Sequence, residues 1–267
     1  MRKAELNEVQ DMVYNIFVEF DRVCRKFDIK YSMEGGTLLG AVKYGDFVPW
    51  DDDIDVIMVR KEYERFLRVA PAELGCDYFL QSYNNVSEFP LNYAKLCYKG
   101  AEIRDYDYSY LKKMNHGIFV DIFPIDNVKG EKWRMHCSQV GVLTSARKTK
   151  LKVNIGKLPI HKRFIYNILS CLPMKVLTGM LNNICTKYNQ KETGFRYEIC
   201  NSNRKFLPLK SEIYDEFVEL TFRGKKFWAV KQYDEFLRSR FGDDYMEELP
   251  PEEKRKPSHC TNIYIRE

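Results

Sequence analysis

The stretch 34-EGGTLLGAVKYGDFVPWDDDIDVIMV-59 decides how this chain is read. Two glycines open it, the four aspartates Asp51, Asp52, Asp53 and Asp55 crowd together, and an apolar run follows at once. Ile54, Val56 and Met58 alternate with Asp53, Asp55 and Ile57, which is the period of a strand with one apolar face and carboxylates at its start. Residues two apart in a strand project to the same side. Asp53 and Asp55 are therefore expected side by side, where two ionised carboxylates repel unless a cation joins them. A hard divalent cation resolves the repulsion. Mg2+ takes one or two carboxylates, keeps several waters and completes its shell with substrate phosphate.

A second acid repeats the pattern. Asp121 sits inside Phe119-Val120-Asp121-Ile122-Phe123, and an acid within an apolar strand is costly unless it is paired or binds a metal. On a neighbouring strand it would complete a three-carboxylate cluster with Asp53 and Asp55, as a metal ligand or as the base for an attacking hydroxyl. The plainer reading is a buried acid satisfied by a backbone or arginine partner. Gly35 and Gly36 permit close backbone approach, and Thr37 reads as the cap of a helical segment whose first N–H groups suit phosphate oxygens. Lys43 and Lys95 are candidate phosphate partners. Asp51 and Asp52 read equally well as turn or cap residues. A calcium loop is excluded, because Val56 stands where that loop needs glycine. A glycosyltransferase D-x-D motif would need a nucleotide-binding βαβ region ahead of it, and only about 50 residues are available there.

Outward from this centre, Leu6, Val9, Val13, Ile16, Phe20, Val23 and Phe27 form one helical stripe over residues 5–28. Residues 29–33 read as a short strand and 60–70 as a helix. Residues 78–83, 92–98 and 117–123 read as strands, with Pro124 and Asp126-Asn127 ending the sheet. The character then changes. Between Lys132 and Lys191 there is no Asp or Glu, while twelve Lys or Arg are present. Solvated helices ordinarily mix both signs, so core helices and an anion-facing surface are both open readings for this segment. The tail holds a hairpin at 222–230 turning at Gly224, a helix over 231–241 stopped by Gly242, and a Pro-bounded loop at 249–259. The expected class is α+β: a mixed β-sheet flanked by helices over residues 1–130, followed by a mainly helical, basic portion over 131–267.

Composition narrows the options. The 267 residues are 45% hydrophobic and 14% aromatic, enough for a packed core in one large domain or two small ones. The eight cysteines include no C-x-x-C pair, so a zinc ribbon is a poor reading and reduced, mostly buried thiols are expected. The opening MRKAELNEVQ lacks an apolar signal-peptide core, and no apolar window is long enough to cross a bilayer. The net charge of +5 is modest, and no nucleic-acid partner is expected.

GGTLLGAVKYGDFVPWDDDID (35–55), GIFVDIFPID (117–126), the tail block 222–255 and the nearby His259 together resemble the LicD family of phosphotransferases, within the nucleotidyltransferase superfamily. The resemblance spans most of the chain, with 132–191 its least characteristic part. It implies a nucleotidyltransferase-like sheet that holds Mg2+ (or Mn2+) between Asp53, Asp55 and Asp121. It implies a CDP-activated donor, with phosphocholine the leading cargo, and a sugar acceptor on a bacterial surface glycan, a teichoic acid or a lipid-linked precursor, with CMP leaving. Gly35, Gly36, Thr37, Lys43, Trp50, Lys95 and His259 are the expected substrate contacts, Trp50 as a cation–π partner for a choline ammonium. A cytoplasmic protein is expected, held peripherally on the inner face of the plasma membrane through 132–191. Two competing readings are a nucleotidyltransferase that moves a nucleoside monophosphate and a non-catalytic, divalent-ion-dependent glycan- or membrane-binding module.

Overall fold

The computed structural model describes residues 1–104, 110–153, 160–201, 206–248 and 262–265. In chain order these form β1 (Arg2–Lys3), α1 (Leu6–Lys26), β2 (Ser32–Met33), α2 (Gly35–Lys43), β3 (Asp55–Val59), α3 (Arg60–Glu73), β4 (Tyr78–Gln81), β5 (Ala94–Tyr98), β6 (Ala101–Ile103) and β7 (Phe119–Asn127). There follow α4 (Trp133–Lys150), α5 (Ile160–Ser170), α6 (Met174–Cys185), β8 (Phe195–Tyr197), β9 (Leu209–Lys210), β10 (Phe217–Phe222), β11 (Lys225–Val230), α7 (Tyr233–Phe241) and β12 (Ile263–Ile265). The class is α+β, as the sequence pattern implies.

The main sheet has the order β2-β3-β7-β5-β4, with β8 and β9 continuing from the end of β7. β3 and β7 are parallel, and the other described pairs in the sheet are antiparallel. The strand pattern predicted from 117 does not stop at Pro124, because β7 runs on to Asn127. The reason lies in the register. Asp121 N–H donates to Ile54 O, so odd-numbered amides of β7 face β3 and even-numbered ones face β5. Pairing with β5 ends at Ala94 opposite Ile122. Position 124 therefore has no ladder bond to lose, which is where a strand proline is tolerated.

α1 covers the sheet with Val9, Val13, Ile16, Phe17, Phe20, Val23 and Cys24, all fully buried. Their spacing of three and four residues is the stripe visible in the sequence. Phe17 stacks on Phe227 of β11 at 4.1 Å between ring centroids, so the C-terminal hairpin β10–β11 belongs to this first core. Such a pair contributes about 0.5–1.5 kcal/mol beyond the area it buries. The hairpin turns at Arg223-Gly224, both with positive φ (50° and 77°), the geometry of a tight two-residue turn. Val230 N–H donates to Ser32 Oγ at 3.0 Å and ties the hairpin to β2. Phe236 and Leu237 of α7 join the same core. A second apolar cluster lies between α4, α6 and β8, built on Trp133, Val140, Leu143, Leu177, Leu181 and Tyr197.

One member of the basic segment is structural. Arg147 of α4 is 1% exposed, and its guanidinium donates to Asn92 Oδ1 (2.6 Å) and Phe89 O (2.7 Å). Burial pulls its pKa down to about 10. Of the described cysteines, Cys24, Cys97, Cys137, Cys185 and Cys200 are buried, while Cys76 and Cys171 are exposed.

The far end of the parallel pair β3–β7 is locked by a buried fork. Arg60 donates to Asp126 through Nε (2.8 Å) and Nη2 (2.6 Å), and Asn189 Nδ2 adds a third bond to Asp126 at 2.6 Å. Burying two charges pays only while both remain. Asp126→Ala is therefore expected to destabilise the protein by about 3–5 kcal/mol, read from urea unfolding, while the pair replacement Arg60→Met/Asp126→Leu costs less than the single change. Equal losses would contradict this account of the pair.

Candidate active site

The sheet register assembles the site. Asp55 of β3 is the partner of Asp121 of β7, and Asp121 is in turn the partner of Lys95 of β5. Register partners share one face of a sheet, so the three side chains form a row across three strands. Lys95 is 6% exposed; its Nζ donates to Asp121 Oδ1 at 2.6 Å and sits 3.1 Å from the centre of the Phe119 ring. This cation offsets part of the charge that the two aspartates bring together.

The loop ahead of β3 and the start of α2 close the site from one side. β3 begins at Asp55, not at Asp53 as the alternation suggests, so Asp53 belongs to the loop. Asp55 N–H donates to Thr37 Oγ1 (2.9 Å), Glu34 N–H to Asp55 O (3.0 Å), and Gln10 Nε2 to Asp51 O (2.8 Å). α2 starts at Gly35 with Glu34 in the cap position. Thr37 therefore lies inside the helix rather than capping it, and its hydroxyl serves the strand instead. Gly35 has a φ of 52°, a conformation that other residues take only under strain. A Cβ built on Gly36 would overlap the Asp51 carboxylate, and one on Gly35 would come within 3.9 Å of Asp55 Oδ2. The acids are thus packed against the N-terminus of α2, where the helix dipole favours negative charge.

That dipole does not balance them. Asp51 is pushed up to about 7, first by burial and then by the charge of Asp53, with which it shares a hydrogen bond. Asp55 is raised well above the usual carboxylate range by burial, then by Asp53, Asp121, Glu34 and Glu198. Glu34 and Glu198 are raised as well, mainly by burial, with Arg240 opposing the shift in each. Arg240 of α7 is 8% exposed and brings its Nε to 3.4 Å from Glu34 Oε1. Glu34, Glu198 and Arg240 escape the sequence reading of the site. The available signals are slight: Glu34 adjoins Gly35-Gly36, and Glu198 stands between Tyr197 and Ile199, an acid in an apolar setting.

Among the described residues, the carboxylates of Glu34, Asp51, Asp52, Asp53, Asp55, Asp121 and Glu198 meet here, against the two cations Lys95 and Arg240. This surplus of closely spaced oxygen donors fits a hard divalent ion. Asp51, Asp52 and Asp53 offer oxygens all within 4.8 Å of one another, and Asp53 also borders the Asp55–Asp121 row electrostatically.

The other expected contacts are scattered. Lys43 lies at the opposite end of α2, where its Nζ donates to Glu247 O (2.6 Å) and stands 3.6 Å from Glu248 Oε1. The helix runs away from the aspartates before it reaches Lys43, so the structure does not bring this lysine to them. Trp50 is half-buried at the entrance to the aspartate loop. His259 lies outside the described residues.

Carboxylates with raised pKa values have a defined effect on stability. The folded state holds protons that the unfolded chain has released, so ionising Asp51 and Asp55 is a cost that is absent below pH about 4 and fully present above about 7 for Asp51. The metal-free protein is expected to lose thermal stability across that window relative to Asp55→Asn, in which the crowding is relieved. Mg2+ is expected to raise the unfolding temperature more at pH 8 than at pH 5, and Asp55→Asn to lose that increment. A scan of unfolding temperature against pH, with and without Mg2+, measures both.

Comparison with known proteins gives this arrangement its relatives. A family model described as LicD/FKTN/FKRP, nucleotidyltransferase domain matches residues 28–153, which contain both aspartate segments and Lys95. The lipopolysaccharide cholinephosphotransferase LicD of Haemophilus influenzae is 30% identical over 277 residues, covering 99% of this chain and 100% of that protein. The ribitol 5-phosphate transferase FKRP of Homo sapiens, like that of Mus musculus, is 38% identical over 47 residues, 18% of this chain and 10% of that protein. With a relative matched along its whole length, the chain belongs to the LicD family of phosphotransferases.

Proposed function

We infer that this chain transfers phosphocholine from a CDP-linked donor to a sugar hydroxyl of a lipopolysaccharide-type surface glycan, releasing CMP. The observation that carries the reading is the row Asp55–Asp121–Lys95 beside the Asp51–Asp53 loop. The end-to-end likeness to a cholinephosphotransferase supports the choice of cargo and acceptor class. A divalent ion, Mg2+ or Mn2+, would be held by Asp53, Asp55 and Asp121, and would supply the positive charge that a diphosphate needs on leaving.

The chain's own residues have the remaining tasks. Asp121, steadied by Lys95, orients the acceptor hydroxyl and takes its proton as the oxygen attacks the distal phosphorus in line with the departing CMP. Lys95 counters the charge of Asp121 so that an anionic substrate can approach. The N–H groups at the start of α2, where Gly35 and Gly36 permit close backbone approach, would be donors for phosphate oxygens. Trp50, at the lip of the loop, offers an aromatic face to the choline ammonium.

The direct test is a CMP-release screen with CDP-choline, CDP-ethanolamine, CDP-ribitol and CDP-glycerol, run with a lipopolysaccharide-type acceptor. Release is expected with CDP-choline, and Asp55→Asn and Asp121→Asn are each expected to lower it by about 10²–10⁴-fold, measured on protein whose circular dichroism matches the wild type. Pyrophosphate and a nucleotidylated product would move the attack to the α-phosphorus. Absence of turnover together with Mg2+-dependent glycan binding would leave a binding module. Gly36→Ala separates site from scaffold. The variant is compared with wild type only where its circular dichroism and unfolding temperature show the fold retained. The new methyl group displaces Asp51, so CMP release should fall at least about tenfold.

A further inference from the structure

We propose that the α5–α6 hairpin docks this chain on an anionic phospholipid bilayer, lying in the interface rather than crossing it. α6 buries Leu177, Leu181 and Cys185, four residues apart, in the core it shares with α4. Flanking that row, about 100° round the helix, are Val176 (45% exposed) and Met180 (40% exposed), again four apart. α5 repeats the arrangement. Leu169 packs inward, while Phe164, Ile165 and Ile168 are 74%, 52% and 55% exposed. A helix on a water-facing surface needs one apolar stripe, and these two helices each have two. Both pack on α4, so the outer stripes are turned away from the protein.

The charge around the stripes names the occupant. No carboxylate occurs between Lys132 and Lys191. Lys175 of this hairpin and Lys187 just beyond it are exposed, and exposed Lys150 places its Nζ on Ser170 O at the tip joining the two helices (2.9 Å). Apolar side chains flanked by cations, with no acid among them, are the pattern of helices that lie at a negatively charged lipid surface. Buried Arg147 is not part of it. No single described helix is long and apolar enough to cross a bilayer. The apolar segments Arg163–Ser170 and Met174–Cys185 meet at 116°, and each is well short of the roughly 20 residues that span a bilayer.

The inference does not rest on the proposed reaction, and its test needs no turnover. The full chain is sedimented with vesicles of phosphatidylglycerol and phosphatidylcholine, or of phosphatidylcholine alone, at low and at raised salt. The chain should pellet with the anionic vesicles, less so as salt rises, and remain in solution with the neutral ones. Phe164→Ser/Ile168→Ser should cut the bound fraction about tenfold or more. Both side chains are exposed, so circular dichroism and the unfolding temperature should be unchanged; Val176→Ser/Met180→Ser serves as the second variant. Lys175→Glu should weaken binding at low salt and matter little at high salt. The proposal fails if the wild-type chain ignores anionic vesicles at low salt, or if both double variants pellet as the wild type does. It also fails if the stripes instead join two copies of the chain, seen as a dimer that the double variants dissolve without any vesicle binding.

Discussion

Asp55 and Asp121 are neighbours on adjacent parallel strands, and two carboxylates at that spacing repel in a setting where water screens them little. Most of what surrounds them answers that repulsion. Lys95 arrives from the third strand with its ammonium over the Phe119 ring. The start of α2 presents its positive end. Arg240 reaches in from α7 toward Glu34. These answers are incomplete, and the raised proton affinities of Asp51, Asp55, Glu34 and Glu198 express the deficit. Closely spaced oxygen donors with such a deficit fit a hard divalent cation.

Two features of the fold make the crowding tolerable. The acids sit at the mouth of the sheet rather than in its middle, since Asp55 is the first residue of β3. The opposite end of the same strand pair is closed by the Arg60–Asp126 fork, where the charges are paired and both side chains are buried. One strand pair thus carries a satisfied ion pair at one end and an unsatisfied acid cluster at the other. The first holds the geometry, and the second is left able to bind.

The parts of this architecture that depend on short-range pattern were open to a reading of the sequence. The α1 stripe, the strand after the aspartates, the turn at Gly224 and the anomaly of an acid at position 121 all announce themselves within a few residues. What the pattern hides is decided by neighbours. Pro124 stays inside β7 because β5 has already ended beside it. Thr37 gives its hydroxyl to Asp55 because Glu34 holds the cap position. Lys43 looks like a phosphate partner in the linear motif, yet the direction of α2 delivers it to Glu247. Glu34, Glu198 and Arg240 come from three separated segments, and no local periodicity links them.

The dependence on distant segments bears on how the protein is born. Lys43 meets Glu247 across 204 positions, and Ser32 meets Val230 across 198. While the ribosome is still making the last part of the chain, the aspartate strands can pair, but the hairpin that backs β2 and the arginine that opposes Glu34 do not yet exist. The half-made molecule is left with an acidic mouth that lacks one of its counter-charges and a sheet that lacks part of its cover. Long-range closure of this kind is slow. The surroundings of the acid cluster therefore close only after residues 230–247 have emerged.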